Sequence, residues 1–407
     1  MQTAVKCECT SARATSSHGK VNTSKKTLIM NLFQKLCLWR KTFTSHIKLK
    51  KSRERVRAYY ESTKNENSKS FEEVMQDLKD LINGGKAFPV RETVEHYFQY
   101  GLQYKGACIG DFIFDSEWFT YNLPILEWAK EDAAILTAKE RCIKHFEACG
   151  ITTTHMYGFL DKTEGELQIS DKGRKTALIP ILLDKKRLFI KPHDGHQGKG
   201  AYLLEAIDEH DCLVNGQKCT FSELAEKVNN EYIVETAILN HPDLAKIYPH
   251  SLNTMRIVTM RDTKGEVQYI SGFHRFGVGG TKVDNAHSGG VAVGINADKG
   301  CWKKTVYSED PAYRNTMHPD SGFVYENQPI PFFKEAIELA IKAHKSFERI
   351  QAVGWDIAIT PEGPLIIEGN QSFWFNGNQY IDKPFRKEFE AYMISCAEAL
   401  KQGKQPW

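Results

Sequence analysis

The chain has 407 residues, of which 41% are hydrophobic and 26% charged, with a formal net charge of +3. That is the composition of an ordinary globular protein, with enough chain for two or three structural units and a sizeable core. The longest apolar runs, such as Leu178–Leu183, are far too short to form a transmembrane helix. The ten cysteines are scattered without metal-ligand spacing, so reduced thiols and a cytoplasmic protein are expected.

The small net charge hides an asymmetry. The first sixty or so residues are rich in Lys and Arg and nearly free of acids, while the remainder is close to neutral or slightly acidic. Residues 1–26 are rich in Ser, Thr and Lys and cannot bury enough apolar surface to offset ordering, which predicts a disordered basic tail. The tail reads either as a transit-like segment or as sequence upstream of a start at Met30. Residues 27–128 read as a helical N-terminal region. Over 27–58, Leu28, Leu32, Phe33, Leu36 and Trp39 share one face of a helix, and the rest is strongly cationic. Such a helix either docks on the body of the protein or makes peripheral contact with an anionic membrane on the cytoplasmic side. Ser70-Phe71-Glu72-Glu73 has the form of a capping box, and Gly84-Gly85 closes the helix that follows.

From about residue 129 a different domain begins. A helix over 130–148 ends at Gly150, and strand-like runs follow at Thr176–Leu182, Leu188–Lys191, Ala201–Leu204, Tyr232–Glu235, Met255–Met260, Val267–Phe273, Gly290–Ile295, Trp355–Thr360 and Pro364–Glu368. Turns at Thr263-Lys264-Gly265-Glu266 and Pro361-Glu362-Gly363-Pro364 separate hairpin partners, and a helix at 331–349 interrupts them. The pattern predicts an α+β fold built on antiparallel sheets.

The chemistry concentrates in four places. Asp356 lies in one strand, and the strand returning from the turn carries Glu368 and Asn370, two apart and so on one face. Three oxygen donors at the end of a core hairpin suit magnesium (Mg2+) together with phosphate oxygens. Upstream, Lys191-Pro192-His193-Asp194-Gly195-His196-Gln197-Gly198-Lys199-Gly200 is a glycine-rich loop between two strands, able to present N–H groups to a triphosphate with Lys191 as a point charge. It is neither a Walker loop nor a dinucleotide fingerprint. Tyr232 to Ile238 offers a strand end and backbone edge for adenine at Glu235, Thr236, Ala237 and Ile238. Arg256 begins another strand and suits a transferring phosphoryl group, a structural salt bridge being the plain alternative.

The ordered set Lys139, Lys191 with its glycine loop, Glu235, Arg256, Asp356, Glu368 and Asn370 resembles the ATP-grasp superfamily over about residues 130–400. The stretches Ser251–Thr259 and Val283–Gly290 resemble its sugar-transfer-associated branch. The resemblance implies an ATP-grasp fold over 129–407, with ATP held by Lys139, Lys191, Gly195, Gly198, Lys199, Gly200 and the Glu235–Ile238 hinge. Magnesium falls to Asp356, Glu368 and Asn370, and catalysis to Arg256 and Lys191. Asn253, His274, Arg275, Asp284, Asn285, His287, Gly289 and Gly290 are candidates for the substrate. There are two departures from the pattern. No Arg stands two residues before Asp356, unlike D-alanine–D-alanine ligases, and no acid stands seven after Glu235, so Asp243 is assigned to the ribose.

The implied reaction is ligation. A small-molecule or sugar-linked carboxylate attacks the γ-phosphate, and an amine or thiol then displaces phosphate from the acylphosphate. A kinase acting on a hydroxyl and a non-catalytic ATP-binding module are the alternatives. Nucleic-acid binding is not expected, because the basic stretch lacks interleaved stacking aromatics and the body is not basic.

Overall fold

The computed structural model describes residues 40–86, 89–163, 166–193, 200–228 and 232–407, with backbone alone at 161–163, 166, 287, 305 and 311. The tail at 1–26 and the Leu28–Trp39 face lie outside these residues. Up to Ala148 the chain runs through helices at 40–51, Arg53–Thr63, Phe71–Asn83, Val90–Gln99, Asp115–Trp128, Lys130–Leu136 and Lys139–Ala148. The capping box forms as expected: Ser70 accepts from the Glu73 N–H, and Glu73 accepts from the Ser70 N–H. Val74, Leu78, Leu81 and Ile82 fall on one helical face and join Leu49, Val56, Tyr97 and Phe98 in a separate apolar core. The helix expected over 130–148 is two. The Thr137 hydroxyl donates back to the Ala133 carbonyl at 2.7 Å, and the chain turns there before restarting at Lys139.

Fourteen strands follow among the described residues. The first eight are β1 (Met156–Thr163), β2 (Glu166–Asp171), β3 (Arg174–Ala177), β4 (Arg187–Pro192), β5 (Tyr202–Ala206), β6 (Asp211–Val214), β7 (Gln217–Thr220) and β8 (Tyr232–Thr236). They form one sheet in the order β3-β2-β1-β8-β4-β5-β6-β7. The last six are β9 (Thr254–Arg261), β10 (Val267–Phe276), β11 (Val291–Asn296), β12 (Cys301–Ser308), β13 (Ala352–Thr360) and β14 (Gly363–Asn370). They form a second sheet, ordered β12-β11-β10-β9-β13-β14, and the strand pairs that build both sheets are antiparallel.

Both predicted turns connect hairpins. In the first, Asp262 accepts from the N–H groups of Lys264 and Glu266, and Gly265 takes the left-handed conformation at φ +84°. Of the run read as a strand at Thr176–Leu182, Thr176 and Ala177 end β3, and from Leu178 the chain is instead a helix, Leu178–Lys185. Pro180 lacks the N–H a sheet ladder needs but is tolerated in the first helical turn, where Leu178 and Leu182 pack on the first sheet's core.

The helical region grips the end of the second sheet. Five residues beyond Asn370 begins the short helix Phe375–Ile381. Its Gln379 amide accepts from the Ile113 N–H at 2.8 Å and donates to the Ile113 carbonyl at 2.9 Å and the Tyr100 hydroxyl at 2.8 Å. Asn376 donates to Asp115 at 2.8 Å and accepts from Tyr100. Phe375 stacks on Trp118 with centroids 4.4 Å apart, and Arg386 forks onto both oxygens of Glu117 at 2.8 Å.

Two histidines are sealed into the second sheet's core. The Thr259 hydroxyl donates to His344 Nδ1 at 2.7 Å, His344 Nε2–H donates to the Ile350 carbonyl at 2.9 Å, and Trp355 Nε1–H donates to Thr259 Oγ1 at 2.8 Å. His274 Nδ1 accepts from Trp302 Nε1–H at 3.2 Å. Burial pushes each ring's pKa down to about 3. A histidine depressed in the folded state takes up a proton on unfolding, so its stabilisation is complete above the unfolded value near ~6.5 and is lost as pH falls from there toward 3. Urea midpoints should therefore fall between pH 7 and pH 5, each ring contributing about 1.4 kcal/mol per pH unit below the unfolded value. A midpoint flat across that range would contradict the burial argument.

Candidate active site

Strand alternation builds the site. In the first sheet Phe189 and Lys191 of β4, Leu203 and Glu205 of β5, and Glu235 of β8 face one way, toward a cavity of about 830 Å³. The intervening Leu188, Ile190, Leu204 and Val234 are fully buried on the other side, against the helices Leu178–Lys185 and Phe221–Lys227. In the second sheet Thr254 and Arg256 of β9, Phe273 and Arg275 of β10, Asp356 of β13 and Glu368 and Asn370 of β14 face the same cavity. The two sheets therefore enclose one cleft, and the segment Glu235–Asn240 runs along its edge.

On the first wall, Lys191 Nζ lies 2.7 Å from Glu235 Oε2. Glu235 is only 3% exposed, and its Oε1 has no hydrogen-bond partner among the described residues. Phe189, Leu203 and Ile238 supply apolar surface beside this pair. Lys139 lies outside the cavity lining. Its ammonium donates to the carbonyls of His193 at 3.0 Å and Pro192 at 3.5 Å, and so ties the helix to the entrance of the glycine-rich loop. Gly195, Gly198 and Lys199 lie outside the described residues. Gly200 is left-handed, at φ +73°.

On the second wall, adjacent strands bring opposite charges together: Asp356 is in register with Arg256 on one side and with Glu368 on the other. Arg256 is forked onto Asp356, Nε to Oδ1 at 2.5 Å and Nη2 to Oδ2 at 3.2 Å. Arg275 Nη2 reaches the same Oδ2 at 2.9 Å, and its Nε lies 3.5 Å from Asp284. Asp284 also accepts from the Thr254 backbone and hydroxyl, at 2.8 and 2.5 Å. Burial opposes ionisation of Asp356, but the two guanidiniums outweigh it and hold its pKa at about 2. Burial and the neighbouring Asp356 charge push Glu368 the other way, above the ordinary range. Asn370 donates to Glu368 Oε1 at 3.0 Å.

These donors fit a divalent cation. A carboxylate whose ionised form is disfavoured beside a second carboxylate is relieved by positive charge, and Asp356 Oδ1 keeps a lone pair beyond its bond to Arg256. Asp356, Glu368 and Asn370 converge on the cleft as the spacing predicted. Arg256, expected to meet phosphate, is engaged with Asp356 but still lines the cleft and adds charge there.

Several candidates fall elsewhere. His274 and Arg275 are consecutive in a strand and cannot face the same side; Arg275 lines the cleft and His274 is sealed in the core with Trp302. Asn253 is fully buried, donating to the Tyr248 carbonyl at 2.7 Å and the Leu244 carbonyl at 3.3 Å, so it fixes the turn into β9 and is out of reach of the cleft. Asp243 is exposed in the first turn of the helix Pro242–Ile247, paired with Lys246 at 2.8 Å and away from the cavity lining. Asp284 and Asn285 line the cleft, and the His287 side chain is outside the described residues.

Gly289 (φ +93°) and Gly290 are structural: a Cβ on Gly290 would stand 2.5 Å from the Asp284 carbonyl oxygen and 2.9 Å from that of Phe276. Gly290→Ala should therefore cost about 1–3 kcal/mol, read as a lowered urea midpoint, with displacement of Asp284. An unchanged midpoint would mean the loop yields freely.

Thr254, Phe189, Leu203 and Trp374 line the cleft without having been singled out from the sequence. Alternation from Arg256 would have found Thr254. Trp374 lies past the strand end, in a loop with no periodicity to read.

Residues 127–383 match the family model described as sugar-transfer associated ATP-grasp, and the chain belongs to that family. Among solved structures it is similar to biotin carboxylase from Campylobacter jejuni, at 11% identity over 69% of this chain and 52% of that one, with a TM-score of 0.39. It is also similar to D-alanine–D-alanine ligase from Coxiella burnetii, at 14% over 66% and 56%, TM-score 0.33. A third is L-amino acid ligase from Bacillus licheniformis, at 15% over 65% and 48%, TM-score 0.35. The chain spans about half the length of these structures. No curated protein matches it in sequence.

Proposed function

We propose that the protein is an ATP- and magnesium-dependent ligase that activates a carboxylate as an acylphosphate and passes the acyl group to an amine or thiol. The observation that carries this reading is the single cleft with Lys191 and Glu235 on one wall and Asp356, Glu368, Asn370, Arg256 and Arg275 on the other. Adenine fits the Glu235–Ile238 edge, where backbone groups and the apolar faces of Phe189 and Leu203 meet. Magnesium held by Glu368, Asn370 and Asp356 supplies the charge that lets an anionic nucleophile approach an anionic triphosphate.

The remaining roles fall to the chain's own groups. Lys191 neutralises phosphate oxygens. Arg256 and Arg275 hold the Asp356 carboxylate ionised and fixed in direction, and their charge favours the developing negative charge of transfer. No protein nucleophile is needed, because positioning does the chemistry. Arg275, Lys282 and Asn285 line the cleft, which supports an acidic acceptor, and the family description supports a sugar-linked one in glycan or surface-polysaccharide modification.

The test is purified protein with ATP and magnesium, screened against carboxylates, amines and sugar nucleotides. The expected result is acceptor-stimulated release of ADP together with free phosphate. ADP without free phosphate would replace ligation by phosphoryl transfer to a hydroxyl. Tight ATP binding with no turnover for any acceptor would leave a binding module.

A further inference from the structure

We infer that the N-terminal basic helices dock the protein on an anionic lipid surface. Residues 1–57 carry fourteen Lys and Arg against two acids, Glu8 and Glu54, while residues 58–407 carry forty against forty-nine. The chain is thus polarised, about +12 at one end and −9 over the rest, so an anionic surface attracts that end and repels the body.

The described part of this end is built for a surface. On the helix at 40–51 and the following Arg53–Thr63, Ser45, Leu49 and Val56 are buried against the helical core. Lys41, Lys48, Lys50, Lys51 and Arg55 are exposed and make no ion pair among the described residues. Interspersed with these cations are two exposed apolar side chains, Phe43 at 55% and Ile47 at 42%, one turn apart. Beside them opens a groove of about 280 Å³ lined by Lys41, Thr44, Ser45, Lys48, Pro89 and Val90. Ammonium groups and hydroxyls around a small groove suit a phosphate headgroup, and Phe43 and Ile47 suit the acyl boundary below it. A nucleic-acid backbone would use the cations but make no use of Ile47 or of the exposed part of Phe43. The preceding sequence repeats the pattern, with Leu28, Leu32, Phe33, Leu36 and Trp39 among Lys25, Lys26 and Lys35.

The test is co-sedimentation of the full chain with phosphatidylcholine vesicles, with and without phosphatidylserine. Binding should require phosphatidylserine and fade as salt is raised. The triple variant Lys48→Glu, Lys50→Glu, Lys51→Glu should weaken it by about tenfold or more. Ile47→Ser, which leaves the charge unchanged, should weaken it several-fold. Both variants alter exposed positions, and an unchanged thermal midpoint confirms that they fold. Equal binding to neutral vesicles, no binding, or wild-type binding by the triple variant would overturn the inference. So would an Ile47→Ser variant that binds as wild type while duplex DNA strips the protein from vesicles, which would indicate a nucleic-acid site. None of these outcomes depends on the ligase assay.

Discussion

Asp356→Asn is expected to lower turnover by about a thousandfold or more, on the order of 4 kcal/mol of barrier, and to destabilise the fold as well. The carboxylate is buried and is the shared partner of Arg256 and Arg275, so an amide takes away the one carboxylate both guanidiniums contact and leaves Asp284 and the more distant Glu368 for charge balance. Losing one partner of a buried charge network costs about 3–5 kcal/mol. Glu368→Gln separates the two effects. Burial and Asp356 already disfavour the Glu368 charge, so its removal should abolish turnover while leaving stability unchanged or raised. Phosphate release and urea midpoints on the two variants decide the matter. Equal destabilisation by both, or turnover surviving in Asp356→Asn, would defeat this account of the acidic wall.

The second large effect is expected at Lys191. Lys191→Met strands Glu235, whose one bonded oxygen loses its ammonium and whose other oxygen already has no partner among the described residues. An uncompensated buried carboxylate should destabilise the protein by about 3–5 kcal/mol. Adding Glu235→Gln to Lys191→Met should recover about 1–3 kcal/mol of that loss, so that a double-mutant cycle shows a coupling of at least that size. Affinity for ATP should not recover with it, because the phosphate-facing charge is still missing. Stability that fails to recover would mean that the pair is not a unit. Affinity returning with Glu235→Gln would mean that Lys191 acts on Glu235 alone.

Part of the acidic wall was legible from two short-range rules, the tight turn and strand alternation. The tight turn at Pro361-Glu362 sets the β13–β14 register as far as Ile357 opposite Ile366, and alternation places Asn370 beside Glu368; a β-bulge next to Asp356, which nothing in the sequence marks, then brings Glu368 rather than Ile367 opposite it. The same rules, applied strictly, would have separated Arg275 from His274. What stayed hidden depends on long-range pairing. Nothing near Arg256 in sequence says that its strand lies between Asp356 on one side and Phe273 on the other, so its fork onto Asp356 could not be read. β1, β2, β6, β7 and β12 were missed because their mixed-polarity runs carry little period-two signal, and neighbours in the sheet, not local preference, hold them. Leu178–Lys185 was misread because an apolar run of that length fits a buried strand or a buried helix equally well.

The amide clamp on the helix Phe375–Ile381 limits where the protein can be divided. The family match begins at residue 127, yet Tyr100, Ile113, Asp115, Glu117 and Trp118 complete the bonding of Asn376, Gln379, Arg386 and Phe375. A fragment cut at that boundary would leave buried amides and a guanidinium without partners a few residues from Asn370. The segment shared with the family is thus smaller than the unit that keeps the cleft wall in shape.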